Sequence, residues 1–203
     1  MLFFYGGVLV KLSVGDQVVH PKHGTGEITG IEQLELVEGF GHYYVIETGD
    51  NGLVVRVPIR SMEELGVRPV MSPSRLDRVL DTLHSAPRHL STNFKARQAR
   101  IKQKLESNRP VEIAEVIRDL AWRKQQAHLS PADARLLNHG REMLATEIAL
   151  VADTGLSEAR QMITTALANA VDGEGDEEES SKPHNQGSNC YPATGKPGLQ
   201  LLS

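Results

Sequence analysis

A change of hydrophobic period near residue 70 constrains this chain more than any other feature. Over residues 11–60 the apolar residues come in strand-length runs separated by glycine-rich turns, and beyond Ser72 they recur every three or four residues. A period of two and a period near 3.6 cannot serve one continuous element. The 203-residue chain is therefore predicted to be α+β in two domains, strands first and helices after.

Residues 17–20, 24–31, 33–37, 42–47 and 53–58 read as strands. Turns are signalled at Gly15-Asp16, across 38–41, and at Gly49-Asp50-Asn51-Gly52. Five strands in about fifty residues predict a small, strongly bent, Tudor- or SH3-like five-stranded β-barrel over residues 11–68. In its last strand Val55 and Val57 share one face, and Val54 and Arg56 the other. Residues 1–10 are apolar, lack basic residues and are too short to span a membrane. They read as an upstream extension of the first strand or as a start placed too early.

The second domain, residues 72–171, is predicted to be compact and helical, with about five helices. Ser72-Pro73 opens the first, and Ala86-Pro87 ends it. Phe94, Gln98, Ile101 and Leu105 mark the second. Asn108 and Pro110 open the third, Ser130-Pro131-Ala132-Asp133 caps a fourth that runs to about Leu150, and a fifth covers 157–170. Residues 172–203 are rich in Gly, Glu, Ser and Asn with few bulky apolar residues, the composition of a disordered acidic tail.

The net charge of −4 conceals an uneven distribution. Residues 72–124 hold 12 Lys/Arg against 6 Asp/Glu, whereas residues 1–71 hold 5 against 9. A basic segment between acidic ones favours contact with nucleic acid. On the second predicted helix Arg97, Arg100 and Lys104 form a basic stripe suited to phosphates. On the third, Ile113, Val116, Ile117 and Leu120 define the apolar stripe, and Trp122, the only tryptophan, falls opposite it beside Arg118. Arg123 and Lys124 follow directly. An aromatic ring off the core face among cations suits insertion between bases or stacking on them; the structural alternative is a further helix covering the ring.

Other chemistries find little support. Cys190 is the only cysteine, so no intrachain disulfide can form, which fits a reducing cytoplasm. His20, His23 and His42 lack a suitably spaced fourth ligand, so no metal is expected. No phosphate-binding loop, nucleophile elbow or dinucleotide fingerprint occurs. Neither catalytic residues nor a cofactor is expected, and the chain reads as a non-enzyme.

The stretch Val14-Gly15-Asp16-Gln17-Val18-Val19-His20-Pro21-Lys22-His23-Gly24 resembles the opening of the CarD family of bacterial transcription regulators, shared with the polymerase-interacting domain of the transcription-repair coupling factor. Leu53-Val54-Val55-Arg56-Val57-Pro58 and Leu65-Gly66-Val67-Arg68 resemble that domain's last strand and exit. Glu115-Val116-Ile117-Arg118-Asp119-Leu120 and Leu129-Ser130 resemble the helical half. The likeness spans about residues 11–170.

The resemblance implies a monomeric cytoplasmic regulator that binds the RNA polymerase β subunit through its barrel. Arg56 would be the contact arginine, with Val54 and Pro58 on the same strand. Leu34 stands where the family often has a second contact arginine. The helical half would meet promoter DNA weakly and with little sequence preference, through Trp122, Arg118, Arg123, Lys124, Arg97, Arg100 and Lys104. The tryptophan would wedge into the minor groove at the upstream fork of the bubble and stabilise the open complex. In the family pattern it follows Arg-Asp-Leu directly; here Ala121 intervenes. The alternative reading is a Tudor-like protein-binding module with a purely structural helical domain, but an aromatic cage could draw only on Phe40, Tyr43 and Tyr44.

Overall fold

A computed structural model describes residues 2–5, 8–37, 40–49 and 52–172. Strands β1 (Leu2–Tyr5) and β2 (Val8–Lys11) pair as an antiparallel hairpin in a sheet of their own. The main sheet holds β3 (Gln17–His20), β4 (Gly24–Val37), β5 (Phe40–Thr48), β6 (Leu53–Pro58) and β7 (Arg68–Pro69). Its order is β6-β5-β4-β3-β7, and every neighbouring pair is antiparallel.

The strand number matches expectation, but the membership differs. The two strands expected at 24–31 and 33–37 are one long strand. Its pairing with β5 slips between Ile28 and Gly30, a bulge that lets one strand bend without ending. The fifth member is β7, two residues long and paired only to β3. Gly26 is required by proximity: a Cβ there would lie 2.6 Å from the Glu47 carbonyl oxygen on β5. Val18, Ile28, Tyr44, Ile46, Val57 and Met62 anchor the sheet's core, and the Tyr44 hydroxyl donates to the Leu12 carbonyl at 2.9 Å.

Five helices follow: α1 (Pro73–His84), α2 (Phe94–Glu106), α3 (Pro110–Gln126), α4 (Pro131–Ala152) and α5 (Leu156–Asp172). Their starts are chemically specified. Proline stands in the first turn of α1, α3 and α4. The Asn93 and Ser130 side chains accept the backbone N–H groups of Ala96 and Asp133. Helix α3 packs against α1, α2 and α4, so it is buried over far more than one stripe. Between Ile113 and Leu120 only Glu115 is not fully buried.

The sheet and the helices meet through a buried polar joint. Arg68 on β7 and Glu147 on α4 are 2% and 1% exposed. The Arg68 guanidinium donates to both Glu147 carboxylate oxygens, with Nη2–Oε2 at 2.8 Å, and its Nε donates to the Asn108 carbonyl. Glu147 Oε1 also accepts the Met71 backbone N–H at 2.8 Å. Asn108, in the turn between α2 and α3 at φ +53°, donates through Nδ2 to the carbonyls of Gly66 (3.1 Å) and Val19 (3.3 Å).

Candidate docking edge and nucleic-acid interface

Strand β6 closes one side of the sheet and has no partner beyond it among the described residues. Alternation leaves Val54 and Arg56 exposed, while Val57 is buried and Val55 half-buried. The pairing of Val45 with Arg56 and of Tyr43 with Pro58 puts those residues on one face, which Glu32 shares through its pairing with Tyr43. Thus Val54, Arg56 and Pro58 share one surface; Leu34, half-buried, falls where the pairing of β4 with β5 slips a second time, between Gln33 and Val37, and no strand pairing ties it to that face.

Arg56 departs from the expectation of a cation free to meet a partner. Its Nε donates to Glu32 Oε2 at 2.7 Å and its Nη2 to Oε1 at 3.3 Å, a forked pair across β5. The hydrogen bond and the charge of Glu32 push the guanidinium pKa up further. Both side chains stay well exposed, so a partner carboxylate would compete with Glu32 rather than meet an unpaired cation.

The basic stripe expected on α2 does not exist as a continuous surface. Arg97 is 5% exposed. Its Nη2 donates to Asp133 Oδ2 on α4 at 3.0 Å, and its Nη1 to the Ser91 carbonyl at 2.7 Å. It also lies against the exposed Phe94 ring, 5.6 Å from the centroid. Lys104 is mostly covered and donates to Glu115 Oε2 at 2.5 Å. Of the three only Arg100 faces solvent. Buried Arg97 is detectable in principle: it precedes Ile101 by four residues and so borders the apolar stripe.

Arg118 is likewise a structural group, 5% exposed. Its guanidinium donates to Asp119 Oδ1 at 2.7 Å and to Ser85 Oγ at 2.6 Å. The end of α1 covers the face of α3 that a single-stripe reading leaves to solvent. Trp122 lies just past this enclosed stretch and is half-buried, as is Arg123, while Lys124 is exposed. These three remain together at the emerging end of α3. Arg88 is an addition to the expected residues. Its backbone N–H donates to Asp119 Oδ1 at 2.9 Å, which holds it on the rim of a cavity of about 120 Å³ with Arg100 and Lys104. Glu115 sits among these cations. Burial opposes its ionisation, but the Lys104 hydrogen bond and the charges of Lys104, Arg88 and Arg118 outweigh that and lower its pKa.

The His20 and His23 rings lie with centroids 4.6 Å apart, tilted by 47° to one another. Among the described residues no three His, Cys, Asp or Glu side chains form a metal-binding group, and no helix is long and apolar enough to cross a membrane. Tyr43 and Tyr44 are both buried and offer no ring to an external ligand; the side chain of Phe40 and residues 173–203 of the expected tail lie outside the described residues.

Comparison with known proteins follows the same division. Residues 12–71 match the profile of the CarD-like/TRCF RID domain, and residues 78–164 match that of the CarD C-terminal domain. A Bacillus subtilis (strain 168) protein, provisionally named transcription factor YdeB, is 28% identical over 138 residues, covering 68% of this chain and 90% of the relative.

Proposed function

We infer the function from the family: the chain belongs to the CarD family of transcription factors. It is a transcription regulator. We propose that residues 11–68 bind the RNA polymerase β subunit along the open edge at β6, that residues 72–171 contact promoter DNA, and that residues 172–203 take part in neither. In this reading the protein acts as a cytoplasmic monomer, associates with the nucleoid through polymerase, and performs no catalysis of its own.

The observation that carries this reading is the position of Trp122. The ring lies where α3 leaves its enclosed stretch, is only half-buried, and is followed by Arg123 and Lys124. An indole there can enter a base step that is already unstacked at the upstream fork of the bubble. That avoids much of the usual unstacking cost of a few kcal/mol. Lys124 and Arg100 supply phosphate contacts, joined by Arg88. Arg97, Arg118 and most of Lys104 act indirectly, by holding the helices that carry these groups. The rival protein-binding module gains nothing from Tyr43 and Tyr44, whose burial removes the aromatic cage it would use.

Replacing Trp122 tests the reading. Trp122→Ala should shorten open-complex lifetime on a promoter while leaving polymerase binding intact. A core tryptophan would instead cost about 3–5 kcal/mol of stability on truncation. A large fall in melting temperature without a promoter-specific defect would refute the wedge.

A further inference from the structure

We propose that Arg68 and Glu147 are positioning residues that unite the sheet and the helices in a single rigid body, holding Trp122 at a fixed place relative to the β6 docking edge. The inference rests on the function proposed above and adds a role for two residues that contact neither polymerase nor DNA in it.

The covalent link is short. It runs from Pro69, the end of β7, to Pro73, the first residue of α1. Alone, such a link would permit rotation about the bonds of Val70, Met71 and Ser72. The joint opposes that rotation in several directions. The Arg68 fork reaches Glu147 on α4 and Asn108 between α2 and α3, while Glu147 turns back to the Met71 N–H. Asn108 then binds two carbonyls on the sheet side. A planar guanidinium bonded at fixed angles to a carboxylate and a carbonyl resists sliding in a way that apolar contact does not.

Energetics favour a geometric role over a stabilising one. Two charges removed from water repay their desolvation only with complete hydrogen bonding, and apolar residues of similar volume are often as stable or more so. What the ion pair supplies and an apolar pair lacks is direction. A wedge that must enter one base step, while its carrier is anchored on polymerase, requires that direction.

The test uses full-length protein with Cys190→Ser and spin labels at the exposed positions Glu64 and Glu158, one on each half. A second pair at His128 and Glu158, both on the helical side, serves as control. In the wild-type background the distance distribution between the halves should be narrow. In Arg68→Met/Glu147→Met it should broaden, while the fold, the control pair and polymerase affinity are retained. Its effect on open-complex lifetime should fall by about fivefold or more, the lower range of coupling between distinct sites. Glu147→Gln, which keeps the shape and loses the charge, should broaden the same distribution.

A distribution as narrow as wild type in both variants would overturn the proposal. So would a broadened one with open-complex lifetime unaffected, or loss of the fold in both variants, which would make the pair a stability element. Failure of wild-type protein to alter open-complex lifetime at all would remove the functional reading instead, and is distinguished by the distance measurement.

Discussion

Two arginines show how a charged residue changes meaning once its neighbours are known. Arg97 and Arg118 have the composition of a nucleic-acid surface and the environment of a core. Their partners explain why sequence alone misplaces them: Asp133 lies 36 residues from Arg97, and Ser85 lies 33 from Arg118. Neither pairing leaves a periodic trace. Asp133 instead looks like an imperfect capping residue, and its carboxylate is in fact occupied by Arg97 and Gln98. Arg97→Ala should cost about 3–5 kcal/mol in urea unfolding, because it leaves a buried carboxylate without its cation. Arg100→Ala should stay within about 0.5 kcal/mol and should weaken DNA binding in a salt-dependent manner. Equal stability losses in the two variants would refute this division. His20 offers a second measurement at this scale. Its Nδ1 accepts the Lys22 backbone N–H at 3.1 Å, so the neutral ring is the one in place. Burial, then the charges of His23 and Lys22, hold its pKa below the ordinary 6.5. The unfolded chain therefore binds the proton more readily, and folded stability should decline as pH falls below 6.5 toward the lower folded value. His20→Asn, which keeps an acceptor but does not titrate, should flatten that decline in urea midpoints taken between about pH 7.5 and pH 5. An unaltered decline would mean that other groups carry it.

At the scale of elements, helices were more legible than strands. Proline and cap residues mark helix starts within a residue or two, and the 3.6 period survives tertiary packing. What a single period cannot reveal is a helix covered on several sides, and α3 is such a helix. The strand pattern misled in two places for one reason: pairing, not composition, decides where a strand begins and ends. Unbroken pairing with β5 from Gly30 to Gln33 joins two expected strands into β4, and β7 is a strand only because β3 lies beside it. The face shared by Val54 and Arg56 was readable from alternation. The Glu32 partner of Arg56 was not, since the residues lie 24 apart on strands separated by β5. That pair makes an opposed prediction for the docking edge. Glu32→Gln should strengthen polymerase binding by releasing Arg56, whereas Arg56→Glu should abolish it and set two like charges side by side. Direct titration against purified polymerase measures both; equal affinity across wild type and the two variants would exclude Arg56 as a contact.

At the scale of the whole molecule, the two regions recognised by separate family profiles are joined by residues 79 positions apart. Arg68 falls in one matched segment and Glu147 in the other. This limits how freely the two can be exchanged. Either residue alone, opposite an unmatched partner, leaves a buried charge and costs about 3–5 kcal/mol, more than two matched apolar residues do. That is a large share of the roughly 5–15 kcal/mol by which a domain is stable. A chimera taking its sheet from this chain and its helices from a relative should melt at a markedly lower temperature unless the relative carries an acid at the position of Glu147, and introducing that acid should restore the melting temperature. Thermal unfolding of such chimeras gives the answer; a melting temperature indifferent to the match would contradict it. Evolution of the joint then needs paired substitutions, because each single step crosses a fitness valley that the double change avoids.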